Sequence, residues 1–148
     1  NIRKINSDRI VFMKKTSHYI YLSQFQHADL FLDTFVYNAG ATASNALWMG
    51  LPVLNKIGQS YTSRMASSLL NSTDLPELTT DSTEAYIKLA IELATDANKL
   101  NSIKLKLKEN RLKKPLFNTE KFTRDFEIGL QKVYKNYLEN NEPKNISV

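Results

Sequence analysis

A chain of 148 residues with 42% apolar and 24% charged side chains is long enough for one ordinary globular core and has the composition of a water-soluble domain. Its lack of cysteine excludes disulfide frameworks and thiolate metal sites, and two histidines are too few to build a metal cluster. No stretch approaches the ~18 apolar residues of a membrane span, and Asn1-Ile2-Arg3-Lys4 lacks the apolar core of a signal peptide, so a cytoplasmic protein without membrane contact is expected.

In chain order, residues 9–12 (Arg-Ile-Val-Phe) read as a short buried strand. Ser17 then precedes a packed helix over residues 19–26 that carries Ile20, Leu22 and Phe25. Leu30, Phe31 and Leu32 make a second buried strand, ended by Asp33. A loop over residues 37–40 leads into a helix from about Ala41 to Met49, closed by Gly50 in the position that favours a left-handed cap. Pro52, Val53 and Leu54 supply a third strand. Strands alternating with helices at this spacing argue for parallel pairing, hence an α/β, Rossmann-like βαβαβ core over residues 1–58.

Beyond Gly58 the pattern predicts helices alone, a closing segment over residues 59–140. One helix covers residues 61–70, and a second covers 83–95 with Tyr86, Leu89, Ala90 and Leu93 at helical spacing. Asp96 opens a third with Leu100, Ile103 and Leu107. Asn118 or Thr119 caps a long fourth helix carrying Phe122, Phe126, Leu130, Val133, Tyr134 and Tyr137. The polar tail, residues 141–148, is expected to fray or lie on a surface. No repeat or linker divides the chain, so residues 1–148 read as a single domain.

The net charge of +5 is unevenly placed. Residues 99–135 hold eleven Lys or Arg against four acids, an excess of seven, which leaves the remainder slightly acidic. These cations fall beside a separate apolar stripe, the pattern of a solvated helix face, and an anionic partner such as nucleic acid is the less favoured reading.

The stretch from Tyr37 to Gly58 holds three of the four glycines, and small residues crowd the start of its helix. In a parallel sheet ligands sit beyond the carboxyl ends of strands. A helix N-terminus there offers unpaired N–H groups and the positive end of its dipole to a phosphate. Gly40, Ala41 and Ala43 leave that main chain approachable, and Thr42 and Ser44 add hydroxyls. Close packing of helix on sheet also selects small residues, so the run alone leaves both readings open. Trp48 is assigned to the core. His27 beside Asp29 suits capping or packing better than acid–base chemistry, and His18, in a loop after a strand, is the better candidate for ligand contact.

The strings ADLFLDTFVYNAGATASNALWMGLPVL, SYTSRMASSLL, LPEL and ENRLKKPLFNTEKFTRDFE, in that order and spacing, resemble the C-terminal catalytic region of the O-linked N-acetylglucosamine transferase family, glycosyltransferase family 41. The likeness runs from about Arg9 to the end and is greatest to bacterial members with tetratricopeptide repeats upstream, which share the Asn-Ala-Gly-Ala-Thr-Ala-Ser run. The resemblance implies part of the C-terminal domain of a GT-B enzyme. Such enzymes carry out metal-independent, inverting transfer from a UDP-sugar to a Ser or Thr hydroxyl, or to Asn in one branch. UDP is bound mainly by the C-terminal domain, with no cofactor beyond the donor.

By the same resemblance, Gly40, Ala41 and Thr42 match the stretch that contacts the diphosphate, and Asn45 matches an acid that meets the ribose. Thr16, His18 and Tyr21 fall in a segment bordering uracil and ribose: Thr16 offers main chain to the base, His18 stands for a ribose-binding Lys, and Tyr21 for a His packed on the base. Gly40, Ala41 and Asn45 replace the animal family's His, Thr and Asp. The family's Asn-Phe-x-Gln-x-x-Lys segment, whose Gln and Lys neutralise the leaving diphosphate, has no counterpart in these 148 residues. The chain alone is therefore expected to be inactive.

Two readings follow. The chain is the UDP-sugar-binding C-terminal portion of a protein O-glycosyltransferase, cut from a longer reading frame and lacking an N-terminal catalytic domain or repeat region. Alternatively it is a stand-alone module that binds a nucleotide or a protein without catalysis. A fragment is expected to leave an apolar sheet edge open and to self-associate through it, whereas an adapted module stays monomeric. A third, weaker reading is RNA or membrane-surface binding by the basic helices, marked by strong salt dependence. In GT-B enzymes of this kind the last helices commonly brace the other domain. Phe122, Phe126, Leu130 and Tyr134 thus pack either on a surface outside this chain or on its own sheet.

Overall fold

The computed structural model describes residues 6–148. Three short strands, β1 (Phe31–Leu32), β2 (Val53–Lys56) and β3 (Thr79–Thr80), lie parallel in the order β1-β2-β3. Helices α1 (His18–Gln24), α2 (Ala41–Trp48), α3 (Met65–Ser72), α4 (Thr83–Thr95), α5 (Ala97–Lys113) and α6 (Thr119–Leu138) accompany them. The chain passes from β1 through α2 to β2, then through α3 to β3, so each strand pair is joined by a helical crossover, as parallel pairing requires. Phe31 pairs with Val53, Leu32 with Leu54, Asn55 with Thr79 and Lys56 with Thr80.

β2 is the central strand, and Val53, Leu54 and Asn55 are all buried along it, the pattern of a strand covered on both faces. α2, α3 and α4 all pack against it. One core cluster joins Ala43, Ala46 and Leu47 of α2 to Val53, Leu70, Leu75, Leu78, Leu93, Ile103 and Leu107. The sequence marks the end of α2 and the starts of α5 and α6 correctly. Gly50 takes φ +85°, its amide donates to Leu47 O at 3.1 Å, and the Leu51 amide donates to Ala46 O at 2.9 Å, a Schellman closure. Asp96 caps α5 through the Lys99 amide at 3.0 Å, and Asn118 caps α6 through the Lys121 amide at 2.9 Å.

Two strand assignments change. Residues 9–12 form no strand: Ser7–Arg9 is one 3-10 turn, and Val11 and Phe12 are 76% and 88% exposed. An apolar run has the pattern of a buried strand, but a strand also needs a neighbouring strand to pair with; the Arg9 and Ile10 amides instead donate back to Asn6 O and Ser7 O, and among the described residues no strand pairs with this run. The third strand is β3, inside the segment expected to be helical throughout. Its two threonines carry no alternating pattern and pair because Pro76–Leu78 turns the chain alongside β2.

The closing helices also differ from a fully packed arrangement. α6 buries none of its residues: Phe122, Phe126, Leu130, Val133 and Tyr134 stay more than half exposed, and it packs on the Pro115–Phe117 turn and the C-terminal tail, whose Ile146 and Val148 lie over the stripe. The apolar stripe of α6 therefore does not cover this domain's sheet. Residues 141–148 lie back along α6, with the Asn141 amide donating to Asn136 O at 3.1 Å and Lys132 Nζ to Ser147 O at 2.7 Å. Eight of the eleven cations in residues 99–135 are in ion pairs, among them Lys99–Glu92 and Lys106–Glu77, as a solvated face requires. No helix among the described residues is long and apolar enough to cross a membrane.

Candidate functional site

The site begins where β1 ends. Asp33, next in register after the Leu32–Leu54 pair, lies beside Asn55 at the carboxyl ends of both strands. Its Oδ1 accepts the Ala39 amide at 2.8 Å and its Oδ2 accepts Asn55 Nδ2–H at 3.0 Å. Asn55 Oδ1 in turn accepts the Ser67 hydroxyl at 2.5 Å, and the Tyr86 hydroxyl donates to the Asp33 carbonyl at 3.1 Å. Burial, and then the charge of Asp33, push the Tyr86 phenol above its ordinary pKa.

Residues 34–40 span from Asp33 to the first turn of α2. The Thr34 hydroxyl donates to Tyr37 O, Asn38 Nδ2 donates back to Thr34 O at 2.7 Å, and the Asn38 amide donates to Thr62 O at 3.0 Å. The loop is thus closed on itself and tied to the segment after β2. It delivers Gly40 as the N-cap of α2 with no side chain to cap the helix. Ser44 N–H makes the first helical bond, to Gly40 O at 3.0 Å. The amides of Ala41, Thr42 and Ala43 have no acceptor among the described residues.

Small residues in this run serve two purposes. Ala43 is fully buried in the core, so it faces the packing side and not an approaching ligand, contrary to the expectation. Ala41 and Thr42 are exposed, and Asn45, one turn on, is half-buried on their side of the helix. A Cβ built on Gly40 meets only Met65 Cγ at 3.6 Å, an ordinary contact. Packing therefore does not demand glycine there. This bare end can hold an anion: main-chain donors, the helix dipole and the Thr42 hydroxyl converge without a competing carboxylate on α2 itself.

The remaining predicted residues form a separate group. His18 is the first residue of α1, not part of a loop after a strand, and is exposed; Thr16 is exposed just before it. The rings of His18 and Tyr21 lie 6.2 Å apart, and Tyr21 meets Phe25 edge-on at 5.1 Å. Tyr21, Phe25, Lys15 and His27 border a hollow of about 570 Å³. Among the described residues no hydrogen bond or ring contact links Thr16, His18 or Tyr21 to Gly40, Ala41, Thr42 or Asn45. Asp29 pairs with Lys104 at 2.6 Å, which leaves it engaged away from His27. Trp48 is 45% exposed, edge-on to Phe117 at 5.1 Å, and not the core residue expected. Among the described residues no three His, Asp or Glu side chains could hold a metal ion.

Reasoning from the sequence takes Asp33 only as a strand terminator and misses Asn38, Asn55, Ser67 and Tyr86. The available signal is polar: an acid and an amide each close an apolar run, at the two strand ends that a parallel register brings side by side.

Against known proteins, the sequence model described as Glycosyl transferase family 41 matches residues 1–126. The chain belongs to glycosyltransferase family 41. It is 31% identical over 135 residues to the UDP-N-acetylglucosamine–peptide N-acetylglucosaminyltransferase of Caenorhabditis elegans, covering 91% of this chain and 12% of that protein. Its structure resembles that of a mutant of the Thermobaculum terrenum O-GlcNAc transferase, with a TM-score of 0.87 at 26% identity, covering 93% of this chain and 26% of the other. The partial Rossmann-like α/β class of a family 41, GT-B domain is thereby established, and these residues span a small part of the relatives' length.

Proposed function

We propose that the chain is the C-terminal, donor-binding portion of an inverting protein O-glycosyltransferase that uses UDP-N-acetylglucosamine or a related UDP-hexose and acts in the cytoplasm. The observation that carries this reading is the uncapped N-terminus of α2 at the carboxyl end of β1, on a chain of family 41. The diphosphate lies on the Ala41 and Thr42 amides beside Gly40, the Thr42 hydroxyl adds a donor, and Asn45 one turn on reaches the ribose. Thr16, His18 and Tyr21 border the base in this reading. These donors meet part of the charge on the leaving diphosphate, without a metal.

Transfer itself needs groups outside these residues, because developing charge on the UDP leaving group must be stabilised from both sides. The open apolar stripe of α6 supports a partner surface on an N-terminal catalytic domain, and the acceptor is a protein hydroxyl presented there. The test is calorimetric titration of the chain with UDP, UMP and GDP, repeated on Thr42→Val. UDP is expected to bind tightest, and Thr42→Val to weaken it by about tenfold or more, the loss of one hydrogen bond to a charged group. Equal response to all three ligands, or none, removes the reading.

A further inference from the structure

We propose that Asp33 is the positioning residue of this site, acting through the Ala39 amide to aim the N–H groups of Ala41 and Thr42. The binding half of the proposal rests on the nucleotide reading; the positioning half does not.

Asp33 is 4% exposed, and no Lys or Arg among the described residues pairs with it. A buried carboxylate without a cation persists only if its oxygens are hydrogen-bonded. Both are, each by a neutral donor: the Ala39 amide on Oδ1 and Asn55 Nδ2 on Oδ2. The direction of the second bond is fixed from behind, because the Ser67 hydroxyl donates to Asn55 Oδ1 and so turns the Asn55 amide nitrogen toward Asp33. The chain of bonds has one polarity, Ser67 to Asn55 to Asp33, and ends on an acceptor strong enough to hold a main-chain N–H one residue before the cap of α2. With the Asn38 amide held by Thr62 O, two consecutive amides ahead of Gly40 are pinned, one to the end of β1 and one to the segment after β2. Charge-assisted bonds of this kind are about twice as strong as neutral ones, so most of the restraint lies with Asp33.

The polarity gives a test that a simple packing role does not pass. In Asp33→Asn the new amide nitrogen faces the Asn55 amide nitrogen, and relief by turning Asn55 takes the acceptor from Ser67. In the swapped pair Asp33→Asn with Asn55→Asp, the new amide nitrogen at position 33 donates to the carboxylate at position 55. That carboxylate still accepts from Ser67, and the new side-chain carbonyl at position 33 accepts the Ala39 amide. The experiment measures amide hydrogen exchange in the ligand-free chain and UDP affinity by titration for wild type, Asp33→Asn and the swapped pair. Asp33→Asn is expected to speed exchange of the hydrogen-bonded Asn38 and Ala39 amides by at least about tenfold while β2 and α3 keep their protection, and to weaken UDP by a similar factor. The swapped pair restores the matched polarity but leaves a neutral acceptor on the Ala39 amide, so it is expected to recover about half of each loss on a logarithmic scale, about threefold. Unchanged exchange of the Asn38 and Ala39 amides in Asp33→Asn, or no recovery in the swapped pair, overturns the proposal. If Asp33→Asn unfolds the chain altogether, refolding of the swapped pair with Asn38 and Ala39 protected supports it, and failure to refold overturns it. Exchange that follows the pattern in a wild type indifferent to UDP upholds the positioning and removes the nucleotide reading alone.

Discussion

Gly40 and Gly58 are each one small residue in a loop at a strand end, yet the space around them differs. A methyl group at Gly40 has room, with its nearest neighbour 3.6 Å away, and φ there is −93°. Gly40→Ala is therefore expected to change stability by less than about 0.5 kcal/mol, while its methyl shields the Ala41 and Thr42 amides and lowers UDP affinity severalfold. Titration paired with a thermal melt reads both. At Gly58 a Cβ overlaps Ser63 Oγ and comes within 2.6 Å of Ser63 Cβ, and that hydroxyl is already engaged by the Ser60 amide at 3.0 Å. Gly58→Ala is expected to cost about 1–3 kcal/mol by overpacking, seen as a lower urea midpoint. Tyr86 supplies a pH signature. Its folded pKa lies above 10.0, so its contribution is complete below that value and is lost as pH rises through the raised one. Tyr86→Phe forfeits the bond to Asp33 O, about 1 kcal/mol near neutral pH. Urea midpoints measured at rising pH are expected to bring wild type and variant together as the phenol ionises.

Among the elements, α2 and α6 show opposite relations between pattern and packing. α2 has a modest apolar pattern but places Ala43, Ala46 and Leu47 in the core with no exposure. Leu47→Ala is expected to cost about 2–5 kcal/mol, measured by denaturant unfolding. α6 has the clearest apolar stripe in the chain and buries none of it. Phe126, 57% exposed and stacked on Phe122 at 6.1 Å, is expected to tolerate Ala with a change under about 0.5 kcal/mol. A loss in the core range for Phe126→Ala in the isolated chain shows that the stripe is covered in solution.

For the molecule as a whole, the three parallel strands and the largely exposed α6 stripe are, in the function proposed above, a donor-binding half whose chemistry depends on another surface. UDP-sugar turnover by these 148 residues alone is expected to be undetectable, and to appear only when a family 41 N-terminal half is added. A coupled UDP-release assay decides this, and turnover by the isolated chain contradicts the division of labour proposed for the two halves.

Local sequence by itself determined what depends on short-range sterics and hydrogen bonds. The caps at Asp96 and Asn118, the left-handed Gly50, the span of α4, and the small residues Gly40, Ala41 and Thr42 at a helix start are all readable from neighbouring residues. Tertiary structure decided what depends on a distant partner. Residues 9–12 have the pattern of a strand and find no ladder, whereas Thr79–Thr80 lacks the pattern and finds one. Ala43 and Ala41 are the same residue type, and only the direction of the helix face sends one to the core and leaves the other at the surface. Asp33 and Asn55 are 22 positions apart, and only parallel register places their side chains in contact. The physical reason is common to all three: burial and pairing are properties of two surfaces, and a sequence window contains one.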